Sequence, residues 1–363
     1  MSDVNTRVAA ALRAIERGEL VVVTDDDDRE NEGDLICAAS LATPENIALM
    51  VRHTSGIVCA PMTRAEARRL NLGPMVADNA APLATAFTVS VDVKHGLTTG
   101  ISAEERTNTV RALANPNAGA SDFVRPGHVF PLVSRDGGVL IRSGHTEAAV
   151  DLCTLVGLPP VGVLAELVND DGTVMRGAEV DDFAKTHGLV QISVNDLIAW
   201  RQRTEKLVER VGDEPRTLAG AQARVVSYST PFEPMSHVAV VVGDIRDGAN
   251  VPVRLLRESV VDDVFGDGGP RDLISRFAKA GRGVLVYLRE GATGVVKTGA
   301  ADEEHETAQS RAKEWRDIGL GAQILRDLGV NSICLIASQD RRYVGLEGFG
   351  ISITDTVRAE DLR

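Results

Sequence analysis

Short apolar runs alternate with helix-spaced segments along this chain, and the alternation breaks only once. Between residue 21 and about residue 200, the runs 21–23, 56–60, 86–91, 138–140, 161–164 and 190–192 have the length of strands. The segments 44–52, 103–114, 147–156 and 180–186 carry apolar residues at helical spacing. Residues 207–222, LVERVGDEPRTLAGAQ, are polar, contain Gly and Pro, and hold no sustained apolar stripe. The pattern then restarts, with strand-like runs at 225–229, 237–242, 283–288, 333–337 and 351–354 and helical spacing at 272–280 and 322–328. At 363 residues the chain also exceeds the size at which one core stops growing. The expected fold class is α+β (mixed α/β), in two domains that are each a mixed β-sheet packed with helices. Their expected limits are 1–206 and 216–363, with a linker at 207–215.

Within this frame, residues 21–36 read VVVTDDDDRENEGDLI and pass from an apolar run straight into acid. Seven of the ten residues from Asp25 to Asp34 are carboxylates. A charge run taken alone is ordinarily a solvated loop. This one follows a strand directly, where sheets of α/β proteins present their ligand sites, and it holds Arg29 and Gly33, which suit an ordered turn. Mg²⁺ takes one or two protein carboxylates together with substrate oxygens, and carboxylates also move protons. The acidic side chains leave both the exposed loop and the metal site open.

Four further stretches carry chemistry-bearing residues. In GGVLIRSGHTEAAVDLCTL, a short run meets Arg142-Ser143-Gly144-His145-Thr146 just before a helical pattern. An arginine, a glycine and the N–H groups of a helix start make a phosphate site; a plain helix cap with an exposed His145 fits equally well. RPGHVFP places His128 in a loop between two prolines. VLAELVNDDGT sets Glu166 in an apolar run, where a glutamate is either a cleft-wall acid or base or an outward-facing residue. SAEERTNTVRAL offers Ser102 and Glu105 at capping-box spacing, with Thr109 on the following turns.

Composition excludes some partners. A formal net charge of −13 argues against general nucleic-acid binding, and no apolar stretch approaches the ~18 residues of a membrane span. The four cysteines (Cys37, Cys59, Cys153, Cys334) are widely spaced, and the N-terminus has no apolar signal region. A cytoplasmic protein is expected.

Taken together, DDRENEGD, HTSGIVC, GISAEERTNTVRAL, RPGHVFPL, RSGHTEA and AELVNDDGT resemble 3,4-dihydroxy-2-butanone 4-phosphate synthase, in order, over nearly all of residues 5–205. The resemblance implies conversion of ribulose 5-phosphate to L-3,4-dihydroxy-2-butanone 4-phosphate and formate by a homodimer that uses Mg²⁺ or Mn²⁺. It implies that Glu30 and His145 bind the metal. Arg29, Glu30, Asp34, Thr109, Arg142, Ser143, Gly144, His145, Thr146 and Glu166 would hold the substrate. His128, Glu166, Asp34 and Cys59 would serve catalysis. Glu105 departs from the aspartate expected there.

The segments HVAVVVGDI, VPVRLL, DDVFG, AGRGVLVYLRE, IGLGAQILRDLGV and RRYVGLEGFGI resemble GTP cyclohydrolase II over residues 216–357. That family holds a catalytic zinc with three cysteines. Here RESVVDDVFGDGGPRD has Ser259 at the first cysteine position and no cysteine after it, Cys334 is the only cysteine of this half, and LREGATGVV lacks the R-Q-E-G-R-G pattern. His237 and His305 stand in no motif that replaces the cysteines. No zinc is expected, and the second domain is expected to be inactive, with a structural or regulatory role. A bifunctional enzyme and a nucleotide- or partner-binding module are the alternatives.

Overall fold

A computed structural model of the chain describes residues 4–26, 29–231, 235–266, 269–289, 308–337 and 346–362. Asp27 and Asp28 of the acidic run, His305, most of LREGATGVV and half of RRYVGLEGFGI lie outside the described residues. The chain divides into two compact units, Met1–Arg201 with Thr307–Ala312, and Gln202–Glu306 with Lys313–Arg363.

In the first unit the order is α1 (Val4–Glu16), β1 (Val21–Thr24), β2 (Gly33–Ala38), α2 (Pro44–His53), β3 (Cys59–Met62), α3 (Arg64–Arg69), β4 (Val91–Val93), α4 (Ala103–Ala114), β5 (Phe123–Val133), α5 (His145–Leu155), β6 (Gly162–Glu166), α6 (Ala178–His187), β7 (Val190–Ser193) and α7 (Val194–Thr204). The strands form one mixed sheet in the order β4-β5-β3-β6-β2-β1-β7. The β1/β2, β2/β6, β3/β6 and β4/β5 pairs are antiparallel, and β1/β7 and β3/β5 are parallel. Val22, Leu35 and Cys37 pack with Ile47 and Met50 of α2 and Val110 and Leu113 of α4 in one core. α5 packs on β2, β3 and β6, and α1 on β7. Cover on both faces explains why β1 reads as an unbroken apolar run rather than an alternating one. Local signals set the helix ends. Thr43 and Pro44 open α2, the Ser102–Glu105 capping box opens α4, and left-handed Gly188 closes α6.

Three sequence expectations are corrected here. Residues 138–140 form a 3₁₀ turn instead of a strand, because Gly137 and Gly138 take positive φ values of 92° and 63°. His128 sits in β5, not in a loop: this eleven-residue strand runs through both prolines. They are tolerated because β4 pairs with β5 at only three positions, across a bulge. The expected linker 207–215 is largely β8 (Glu209–Leu218), which pairs antiparallel with β9 (Ala221–Ser229). No residue of β8 is buried. A charged, solvent-washed edge strand has the composition of a linker.

After β9 the chain continues with β10 (His237–Val242), β11 (Val251–Arg257), α8 (Val260–Phe265), α9 (Gly269–Lys279), β12 (Gly283–Leu288), α10 (Ala308–Asp327), β13 (Ser332–Ala337) and β14 (Ser352–Arg358). The sheet of the second unit has the order β14-β13-β11-β12-β10-β9-β8, again mixed. Val240, Val242 and Leu285 of the sheet pack against Leu273, Ile274 and Phe277 of α9. Among the described residues, no helix is long and apolar enough to cross a membrane.

Candidate active site

The register of β2 against β6 sets Asp34 directly opposite Glu166. Two carboxyl groups set opposite each other across a strand pair repel whenever both are ionised, and such arrangements gather at functional sites. Cys59 of β3 faces Leu164 of β6. The turn from β1 to β2 brings Arg29, Glu30 and Glu32 to the same place, and α5 begins there with His145 and Thr146. With Thr85, Phe87, Leu132 and Arg142, these residues line a cavity of about 110 Å³.

Asp25 builds the acidic turn. Its buried carboxylate accepts the N–H groups of Glu30 (3.1 Å) and Glu32 (3.0 Å) and the Arg29 guanidinium (2.7 Å). Arg29 also donates to Glu30 at 2.6 Å. Gly33 leaves room where α6 crosses, since a Cβ there would lie 2.6 Å from Val180 Cγ1.

His145, 6% exposed, has Nδ1 at 3.5 Å from Glu30 Oε2 and 3.7 Å from Asp34 Oδ1. Burial alone would lower the pKa of this imidazole, but the carboxylates of Asp34, Glu30 and Asp25 prevail and raise it to about 9. Burial acts to raise Glu30, yet its hydrogen bond to His145 and the Arg29 charge bring it down to about 2. Asp34 is pushed up to about 8 by its burial, with His145 opposing and Glu166, Glu30 and Glu32 adding to the rise. His145 Nε2 and Asp34 Oδ1 are both buried without a hydrogen-bond partner, a condition native proteins keep rare. Asp25, Glu30 and His145 each offer a ligand atom, all within 4.8 Å of one another, the only such trio among the described residues. The Asp25 oxygens already accept three hydrogen bonds within the turn.

Arg142 donates to Glu147 (2.7 Å), the Leu83 carbonyl (3.2 Å) and the Thr85 hydroxyl (3.4 Å). Glu147, itself buried, also accepts the Arg135 N–H at 2.9 Å. Gly144 is the N-cap of α5, where a Cβ would meet Arg142 Nη1 at 2.5 Å. Ser55 binds Glu166 twice: its hydroxyl donates to the carboxylate (2.7 Å) and its N–H to the carbonyl (2.8 Å).

The family models now decide the relationship. That for 3,4-dihydroxy-2-butanone 4-phosphate synthase matches residues 9–200, and that for GTP cyclohydrolase II matches residues 210–358. The chain belongs to the 3,4-dihydroxy-2-butanone 4-phosphate synthase family. A GTP cyclohydrolase II-type domain follows the synthase domain. The riboflavin biosynthesis protein RibBA of Salinispora arenicola is 45% identical over 96% of this chain and 88% of its own length. Two chloroplastic proteins of Arabidopsis thaliana are each 43% identical over 96% of this chain, one named bifunctional (68% of its length) and one monofunctional (76%). Among solved structures, RibBX of A. baumannii, a two-domain synthase, aligns with a TM-score of 0.82 at 35% identity, covering 96% of this chain and 99% of its own. A synthase in complex with two magnesium ions aligns with a TM-score of 0.53 at 46% identity, covering 54% of this chain and 97% of its own.

Of the residues that the resemblance assigns to the synthase site, Arg29, Glu30, Asp34, Cys59, Arg142, His145, Thr146 and Glu166 line the cavity. Burial holds the Cys59 thiol well above its usual pKa, with Glu166 and Asp34 acting the same way. Thr109 needs correction as a substrate ligand in this chain. Its buried hydroxyl accepts the Val93 N–H (3.1 Å) and donates to the Glu105 carbonyl (3.0 Å). Ser143 and Gly144 are not among the lining residues; they lead into α5, with Gly144 as its N-cap. His128 is not in the wall, but it lies two residues along β5 from Phe130, the register partner of Cys59.

In the second domain the polar groups around Ser259 satisfy one another. Ser259 N–H donates to Asp263 (2.8 Å) and its hydroxyl to Asp262 (2.6 Å), and Tyr287 donates to Asp263 (2.5 Å). Cys334 stands on β13, half-buried.

Proposed function

We propose that the first domain converts D-ribulose 5-phosphate to L-3,4-dihydroxy-2-butanone 4-phosphate and formate in riboflavin biosynthesis, as a homodimer, and that the second domain does not hydrolyse GTP. The observation that carries the first part is the pair of buried atoms without a hydrogen-bond partner, His145 Nε2 and Asp34 Oδ1, in a cavity also lined by two guanidinium groups and Glu166. Such atoms, beside Glu30, fit a hard divalent cation and sugar hydroxyls. Glu30 and His145 would hold Mg²⁺ (Mn²⁺ has the same preference for oxygen), whose chemistry when bound is polarisation of two adjacent sugar oxygens.

The protein's own groups divide the remaining work. Arg142, fixed by Glu147, and the N–H groups opening α5 receive the phosphate. Arg29 and Asp34, whose carboxyl keeps its proton near neutral pH, hydrogen-bond the sugar hydroxyls. Glu166, held by Ser55, takes the proton from carbon beside the carbonyl and returns it later in the sequence. His128 moves a second proton. Enolisation, loss of water, skeletal rearrangement and rehydration then release one carbon as formate.

The absence of a cysteine trio supports an inactive second domain, since a zinc hydrolase needs three protein ligands and an open water position. The rival, a bifunctional enzyme, is favoured by the 210–358 match and by relatives named bifunctional. Formate release separates them. The purified full-length protein is given ribulose 5-phosphate or GTP in separate reactions with Mg²⁺ and Zn²⁺. Formate from the sugar phosphate alone is expected. Formate from GTP, with stoichiometric zinc in the protein, overturns the second part, and none from ribulose 5-phosphate overturns the first.

A further inference from the structure

We propose that Asp92 is a positioning residue for His128, holding the imidazole with its proton on Nδ1 so that Nε2 is the basic nitrogen left facing outward. What His128 does with that nitrogen rests on the synthase reading above; how it is held rests on geometry. Asp92, on β4 and 3% exposed, accepts the His128 backbone N–H at 2.9 Å through one oxygen. Its other oxygen lies 2.7 Å from His128 Nδ1. The His128 side chain is 42% exposed. A half-exposed histidine finds hydrogen bonds in water, whereas burying a carboxylate is costly. A buried acid tied to such a ring therefore does something other than solvate it.

The neighbourhood is shaped around this pair. The β4/β5 register shifts between Val91 and Asp92, and a bulge of this kind re-aims a side chain. At Gly127 a Cβ would lie 2.2 Å from the Asp92 nitrogen. Gly100, with φ +86°, closes over the other side, where a Cβ would lie 2.3 Å from Asp92 Oδ2 and 2.7 Å from His128 Nδ1. Arg106 of α4 is buried, and the Asp92 charge acts to keep it protonated against that burial. Neutral imidazole has one N–H, and a carboxylate beside Nδ1 fixes it there, leaving the Nε2 lone pair outward. Because the second oxygen is anchored on the His128 backbone, the ring's rotation is set as well.

Asp92→Asn tests this. Its amide oxygen keeps the backbone bond, while its NH₂ faces Nδ1 and drives the ring proton to Nε2. The expected result is a fall in kcat for formate release of about 10²-fold or more, with KM nearly unchanged. In ¹⁵N spectra of the full-length protein, His128 (identified by its loss in His128→Gln) should be the Nδ1–H tautomer in the native protein and Nε2–H in Asp92→Asn. A purely structural acid would lower thermal stability and leave tautomer and kcat alone; that result overturns the proposal, as does an Nε2–H tautomer in the native protein. Should Asp92→Asn not fold, the native spectrum decides. If the native protein releases no formate from ribulose 5-phosphate, the synthase reading fails, and the tautomer still judges Asp92.

Discussion

The two domains meet the same problem, polar side chains gathered at one place, and settle it in opposite ways. Around Ser259, each polar group has found another: Ser259 with Asp262 and Asp263, Asp263 with Tyr287, Arg289 with Glu258. In the synthase cavity, the strand register sets Asp34 and Glu166 face to face, and His145 Nε2 and Asp34 Oδ1 are buried without a hydrogen-bond partner. A buried polar atom left unsatisfied costs about 1–3 kcal/mol. A fold bears that cost where something else supplies the missing bond. A self-satisfied network offers nothing to a ligand and would have to be broken to take one.

The sharpest way to break this comparison is to make matched changes in both places. Glu166→Gln keeps the shape of the wall and the Ser55 contact but removes the proton-transferring carboxylate. Formate release from ribulose 5-phosphate should fall by about 10²–10⁴-fold, with the fold intact by circular dichroism. Ser259→Ala, which removes one donor of the closed network, should leave that rate unchanged. Near-native turnover in Glu166→Gln, or a comparable loss in Ser259→Ala, would erase the distinction.

The next effect concerns what the acidic turn is made of. Asp25 sits among possible metal ligands, but its oxygens serve the Glu30 and Glu32 N–H groups and Arg29. Asp25→Ala should therefore destabilise the metal-free protein by about 2–3 kcal/mol, read as a lower midpoint in thermal or urea unfolding. An unchanged midpoint in the metal-free protein, with Mg²⁺ affinity alone reduced, would make Asp25 a ligand and not the turn's organiser.

Legibility in the sequence follows the same divide. The acidic turn, the RSGHT run and Glu166 stood out because each places charge beside an apolar run, a local signal. Asp92 and Ser55 did not: their meaning comes from His128 and Glu166, 36 and 111 residues away. Thr85 and Phe87 reach the cavity wall from an irregular segment with no periodicity to flag it. Glu147 was visible within RSGHTEA, yet only the structure shows it pinning Arg142. Thr109 misled because a threonine near a helix start suits a ligand contact and a backbone brace equally well. The edge strand β8 misled because exposure on both faces removes the alternation by which strands are recognised.

The smallest effect is the most specific to the open cavity. Around His145 the nearby carboxylates outweigh burial, so its pKa is raised to about 9 and the metal-free protein carries the imidazolium at neutral pH. A metal accepts only the neutral ring. Each ion bound through His145 must therefore displace a proton whenever the pH is below about 9. Raising the pH removes the competitor, so Mg²⁺ should bind about tenfold more tightly per pH unit between 7 and 8, or ~1.4 kcal/mol. Above about 9 that gain should level off. Asp34, pushed up to about 8, adds a second proton to the count if its carboxylate is also drawn to the ion. Calorimetric titration with Mg²⁺ in buffers of differing ionisation enthalpy counts the protons directly. One or two released per ion is the signature of a site kept protonated until its ligand arrives. Zero released, with affinity flat across this range, would mean that the ion does not meet His145 and that the unpartnered nitrogen serves something else.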